Sequence, residues 1–378
     1  MQKRYLLTPG PTSVPSEVLL TMSQPIIHHR TKEYRKIFAK VNEGLKYLFQ
    51  TASDVLIFSS SGTGAMEGAV SNLLSPNDRA LVVKGGKFGE RFAEICTAYG
   101  VEVIPVDVVW GEAVEPKEIE SKLAENPDIK AVFTTLCETS TGVVNDIESI
   151  GNIVAKHSAA LVVDAISGLG AMEYKPDLWH VDVTVGCSQK GLMLPPGLSF
   201  ISLSEKGWKL VAESQLPKYY FSFLKARKGI GSLESPFTPA ISLIIGLNEA
   251  LQMIREEGIE SVWRRHSRLA AAVRAAVRAL RLELFAPRTA ADAVTAVKVP
   301  SEIDGVLLVK KMSEKYGMTI AGGQDHLKGK IFRIATLGYA DTFDVISVLA
   351  ALTMTLSELG YEVELGAAVR AAEEILMK

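Results

Sequence analysis

Cysteine is nearly absent, with three in 378 residues at positions 96, 137 and 187. An odd number at wide spacing supports neither a disulfide framework nor a cysteine-based metal centre. Histidine is scarce too: of six, His28 and His29 are adjacent and the other four are scattered, so no zinc-type spacing arises and no metal is expected. No apolar run approaches the ~18 residues that span a bilayer. Near the N-terminus only Tyr5-Leu6-Leu7 is apolar, too short for a secretion signal. Neither sign of charge dominates. Lys plus Arg number 41 and Asp plus Glu 43, a net charge of −2, without the clustered basic excess of a nucleic-acid or membrane-surface binder. Asparagine and glutamine number seven each, and depletion of thermolabile amides is a trend compatible with a thermophilic source. These absences point to a cytoplasmic protein. At about 150 residues per domain its length suggests two or three domains.

Between about residues 54 and 204, short β-branched runs alternate with amphipathic stretches. Strands are expected at 55–58, 80–84, 101–106, 131–136, 160–164, 181–185 and 199–203. Their near-continuous Val, Ile and Leu content is that of strands buried on both faces of a mostly parallel sheet. Helices are expected at 65–74, 88–99, 116–124 and 147–157, with Pro116 in a first turn and Asp146 as a cap. Two long helices follow, 239–257 and 259–280, with Gly258 ending the first. Beyond residue 285 a strand (294–299), a helix (305–316), a strand (331–335) and a final helix (343–359) make a smaller α+β unit. The fold class is therefore α/β, a doubly wound seven-stranded large domain (21–257) followed by a small C-terminal domain (258–378).

Two groups of residues can carry chemistry. Ser59-Ser60-Ser61-Gly62-Thr63-Gly64 lies between a strand and a helix. Small residues there let backbone N–H groups reach an anion, and the helix N-terminus adds positive charge. An ordinary Ser/Thr cap in a tight turn explains the same residues equally well. Gly62, Gly64 and Gly68 also resemble a dinucleotide fingerprint, which would make the chain an NADP-dependent dehydrogenase. Against that, the next strand ends at Lys84 and not at an acidic residue for a ribose. Asp164 ends one apolar strand and Lys190 follows another, so both are expected at the carboxyl edge of the sheet, where open α/β folds bind ligands. Alone they could be a structural ion pair. With a phosphate cradle ahead of them, a carboxylate for a pyridinium nitrogen and a lysine for a Schiff base supply the handles of pyridoxal 5′-phosphate.

A wider set of stretches falls in one order along the chain. It comprises Thr8-Pro9-Gly10-Pro11-Thr12, His29-Arg30, Ser61-Gly62-Thr63-Gly64, Glu138-Thr139-Ser140-Thr141-Gly142-Val143, Val163-Asp164-Ala165, Ser188-Gln189-Lys190, Pro195-Pro196-Gly197-Leu198-Ser199, Thr238-Pro239-Ala240 and Phe332-Arg333-Ile334. Together they resemble the class V aminotransferases of the alanine–glyoxylate, serine–pyruvate and serine–glyoxylate group, across residues 8–334.

The resemblance implies the pyridoxal-phosphate fold of aspartate aminotransferase (fold type I). It also implies transfer of the amino group of serine or alanine to pyruvate or glyoxylate by a ping-pong route. Lys190 then resembles the Schiff-base lysine and Asp164 the pyridinium partner. Ser61, Gly62 and Thr63 resemble the phosphate cup, with Gln189 beside it. Phe88 stands where the family stacks an aromatic on the cofactor ring, and Thr139 matches a hydroxyl residue near the cofactor's phenolic oxygen. Arg333 resembles the guanidinium that grips the substrate carboxylate, a task its planar fork suits, with Gly10 beside the substrate. Thr238 resembles a residue that reaches the phosphate from a partner subunit. A homodimer with active sites at the interface follows, residues 1–20 contacting the partner. Aspartate and aminoethylphosphonate donors, or a lyase on the same scaffold, are the related alternatives. Ser222 stands where the family often carries an acidic residue. A cysteine desulfurase needs a cysteine after the lysine, and all three here precede Lys190.

Overall fold

The computed structural model describes residues 3–378. Its main sheet has seven strands: β1 (Val55–Phe58), β2 (Arg79–Lys84), β3 (Glu102–Asp107), β4 (Ile129–Thr135), β5 (Ala160–Asp164), β6 (Val183–Cys187) and β7 (Ser199–Leu203). They lie side by side in the order β1-β7-β6-β5-β4-β2-β3. Only β7 runs antiparallel to its neighbours, and the other pairings are parallel. Helices cover both faces, which explains the uninterrupted apolar runs. Along β5, Leu161 and Val163 enter one buried cluster and Val162 enters the other. At the open edge, β3 exposes Glu102, Pro105 and Asp107, residues that discourage pairing with a further strand.

The first cluster is closed by α1 (Lys32–Phe49), whose Tyr34, Phe38, Val41 and Leu45 form one helical face. The second is closed by α2 (Gly62–Leu73) and α3 (Lys87–Ala98). Two long helices follow, α4 (Ile241–Glu257) and α5 (Ile259–Ala279). Gly258 separates them at φ +83°, a conformation that favours glycine.

The C-terminal part holds a second, antiparallel sheet in the order β8 (Val294–Lys298), β10 (Ile331–Ala335), β9 (Ala321–Gly322). It is packed by α6 (Thr342–Glu358) and α7 (Ala367–Leu376) around a third cluster. The start of the chain belongs here too. Tyr5 and Leu6 pair in parallel with Met318 and Thr319, and Leu7 is buried in the third cluster.

Several elements depart from the sequence reading. Helix α1 was not anticipated, because its buried residues are spaced among lysines and glutamates instead of forming a run. Helix α7 follows the helix expected to be last. Helix α2 begins at Gly62 and not at residue 65, so the small-residue loop is the helix's own first turn. Helix α4 begins at Ile241, two residues beyond Pro239. Asp146 does cap its helix, accepting from Ser149 N.

Candidate active site

Parallel pairing puts Asp164 opposite Val185, so the carboxyl ends of β5 and β6 lie side by side. Asp164 is the last residue of β5, and Lys190 follows β6 by three residues. Asp164 is 4% exposed. Its Oδ1 accepts from Ile166 N at 2.8 Å, while Oδ2 has no hydrogen bond among the described residues. Burial pushes the Asp164 carboxyl up to about 7, with the Ile166 amide and the Lys190 charge opposing. Burial also pushes Lys190 down, against the pull of Asp164. Its Nζ donates to Pro9 O, and its own carbonyl accepts from Thr12 Oγ1 at 3.0 Å. Gly10 completes this loop at φ +138°; a β-carbon there would stand 2.5 Å from Lys190 Cε and Nζ. Gln189 is tied to the same loop, its carbonyl accepting from Thr12 N at 3.3 Å.

The cradle lies against this pair. Ser61 is the N-cap of α2 but makes no side-chain cap bond, so its hydroxyl is not spent on the helix. The amides of Gly62 and Thr63 have no preceding turn to bond to. A β-carbon on Gly62 would meet Ile166 Cδ1 at 2.5 Å and Cys187 Cβ at 3.4 Å, so glycine is what lets the cradle approach the loops that carry Asp164 and Lys190. Thr63 Oγ1 accepts from Arg91 Nη1 at 3.2 Å.

Phe88, half-buried, opens α3, and its amide donates to Glu138 Oε2 at 3.1 Å. Thr139 Oγ1 shares a hydrogen bond with Ser167 Oγ, and its carbonyl accepts from Arg333 Nη1 at 2.8 Å. Arg333 comes from β10. Its Nε and Nη2 both donate to Gly322 O, at 3.1 and 2.7 Å. Three of its five N–H donors are therefore used, leaving one on each terminal nitrogen. Burial lowers Arg333 to about 10, so it stays charged near neutrality. No carboxylate pairs with it among the described residues. Thr238 stands apart from this group, exposed, in a cleft lined also by Ser59 and Tyr220.

Residues 4–336 match the sequence model of the family Aminotransferase class-V. The chain belongs to the class V aminotransferases. Its relatives align over almost their whole length. A protein of Synechococcus sp. named soluble hydrogenase, small subunit, is 43% identical over 380 residues, covering 99% of this chain and 98% of that one. An L-aspartate–glyoxylate aminotransferase of Paracoccus denitrificans is 37% identical (98% and 95%). A serine–glyoxylate aminotransferase of Hyphomicrobium methylovorum is 36% identical (99% and 95%). The crystal structure of ureidoglycine–glyoxylate aminotransferase from Bacillus subtilis superposes with a TM-score of 0.95 at 29% identity, covering 100% of this chain and 99% of that one.

The residues of this class V aminotransferase fit the pyridoxal phosphate that its family implies. Asp164, itself 4% exposed, offers a carboxylate oxygen with no partner among the described residues, which suits a protonated ring nitrogen. Lys190 is an amine of lowered proton affinity, and α2 presents free amides and a hydroxyl for a phosphate. One buried group had been given no role from sequence. Glu138, 1% exposed, accepts from Phe88 N, Gly89 N and Ser140 N and from the Ser140 hydroxyl. It ties the first turn of α3 to the hairpin that carries Thr139. A carboxylate within Leu136-Cys137-Glu138-Thr139 was the available signal, but its Phe88 and Gly89 partners lie some fifty residues away.

Proposed function

We propose that this class V aminotransferase uses pyridoxal phosphate to move the amino group of serine or alanine to glyoxylate or pyruvate. The observation that carries the reading is the Arg333 fork. Among the described residues, two N–H groups, one on each terminal nitrogen, are uncommitted on a buried cation that no carboxylate pairs. That is the donor set for bidentate capture of an α-carboxylate. Glyoxylate as acceptor is supported by the names of the Paracoccus, Hyphomicrobium and Bacillus proteins.

When bound, pyridoxal phosphate supplies an aldehyde that takes up the amino group and a ring that absorbs the charge left when the α-proton departs. Arg333 binds the carboxylate and thereby fixes the direction of the Cα–H bond. Lys190 Nζ, whose proton affinity burial lowers, would remove that proton as general base and give it back on the far side of the amino nitrogen. Asp164 holds a proton at the ring nitrogen through Oδ2. Phe88 would cover the ring, and Thr139, fixed by Ser167, would serve its phenolic oxygen. Ser61, Gly62 and Thr63 hold the phosphate, with Gln189 alongside. The exposed Thr238 reaches the phosphate of a second copy, so the working unit is a homodimer.

An amino donor and a 2-oxo acid then use one site in turn, which requires ping-pong kinetics. Initial rates with serine and glyoxylate varied together should give parallel double-reciprocal lines; intersecting lines would defeat the proposal. Aspartate is the second reading, favoured by the Paracoccus relative, and the same assay with aspartate ranks the donors.

A further inference from the structure

Arg91 lies one turn beyond Phe88 on α3 and reaches across to α2. Its Nη1 donates to Thr63 Oγ1 at 3.2 Å, and its guanidinium carbon sits 4.8 Å from the centre of the Phe88 ring. It makes no ion pair among the described residues, although α3 carries Glu90 and Glu94, which both lie near Lys87. A hydroxyl has one proton and two lone pairs. Arg91 occupies a lone pair of Thr63, and the Thr63 O–H has no acceptor among the described residues. The hydroxyl proton is thus left for a ligand, and a neighbouring cation strengthens it as a donor. Contact with the Phe88 ring and the bond to Thr63 together hold its positive charge beside the cradle.

We infer that Arg91 is a positioning residue for the cofactor's phosphate, presenting the Thr63 hydroxyl to it and supplying positive charge to its dianion. The assignment rests on the cofactor reading above. It separates two kinds of contact: Phe88, Asp164 and Lys190 address the ring, whereas the hydrogen bond of Arg91 is to a phosphate-cup residue, Thr63.

The test compares pyridoxal phosphate with pyridoxal, which lacks the phosphate, on the full-length chain stripped of cofactor. Dissociation constants are measured by equilibrium dialysis for the wild type, Arg91→Met, Arg91→Lys, Thr63→Val and the double variant Arg91→Met/Thr63→Val. The wild type should bind the phosphorylated ligand far more tightly. Arg91→Met should lose about tenfold for pyridoxal phosphate, the scale of one charge-assisted contact, and less than twofold for pyridoxal. Arg91→Lys should recover part of the loss, and the double variant should be no weaker than the worse single one. Equal losses for both ligands would mean that Arg91 merely braces α2 against α3, and would overturn the inference. So would unchanged affinity for pyridoxal phosphate. A wild type that does not distinguish the two ligands would instead overturn the cofactor reading itself.

Discussion

Gly10 and Lys190 are in direct contact: a β-carbon on Gly10 would stand 2.5 Å from the lysine's Cε and Nζ. At φ +138° the position also disfavours any side chain. Gly10→Ala should therefore push Lys190 aside without unfolding the sheet. Misplacing a reacting group by about 1 Å costs on the order of 10²-fold in rate. Transamination should fall by about that factor while the circular dichroism spectrum stays unchanged; a rate within twofold of wild type would contradict the packing.

The Glu138 carboxylate collects three backbone amides and a hydroxyl in the interior. Removing it strands those donors, and an unsatisfied buried donor costs about 1–3 kcal/mol. Glu138→Ala should lower stability by about 3 kcal/mol in urea unfolding, with cofactor binding weakened as Phe88 loosens. A loss below about 1 kcal/mol would mean that these bonds are replaced by water.

Arg333→Lys keeps a positive charge but gives up the fork. The lysine cannot donate to Gly322 and Thr139 and also bind both oxygens of a carboxylate. The expected result is a fall in kcat/KM for the amino donor of a hundredfold or more. A change below fivefold would remove Arg333 from carboxylate binding.

Asp164 couples pH to stability. Its folded pKa is raised, to about 7 against 3.8 unfolded. Between those values the folded state holds the extra proton, so this group's contribution declines as pH rises through the window. Asp164→Asn removes that dependence. In cofactor-free protein, the melting temperature of the variant relative to wild type should rise from pH 4 to pH 7. A flat or falling difference would contradict the burial of this carboxylate.

Much of this was legible in the sequence. Strands β5 and β7 match their expected limits, because strands covered on both faces need unbroken apolar runs. The reversed direction of β7 was not legible, since a strand's own residues do not encode its orientation against neighbours. Asp164 and Lys190 could be placed at one edge because each ends or follows such a run. The uncommitted N–H groups of Arg333 depend on Gly322 and Thr139, and two of the Glu138 donors, Phe88 N and Gly89 N, come from α3. Both contacts join segments distant in sequence, and no local pattern announces them. Helix α1 was within reach. Tyr34, Phe38, Val41 and Leu45 have helical spacing behind the capping Thr31, whose side chain accepts from Tyr34 N.

The central claim is that Lys190 carries the chemistry, and absorbance tests it most directly. Purified protein supplied with pyridoxal phosphate should show a visible absorption band that bleaches on addition of L-serine or L-alanine and returns with glyoxylate or pyruvate. Lys190→Ala should bind the cofactor yet fail to cycle. A Lys190→Ala variant that cycles like wild type, or a wild type that stays colourless with the cofactor, would contradict the account.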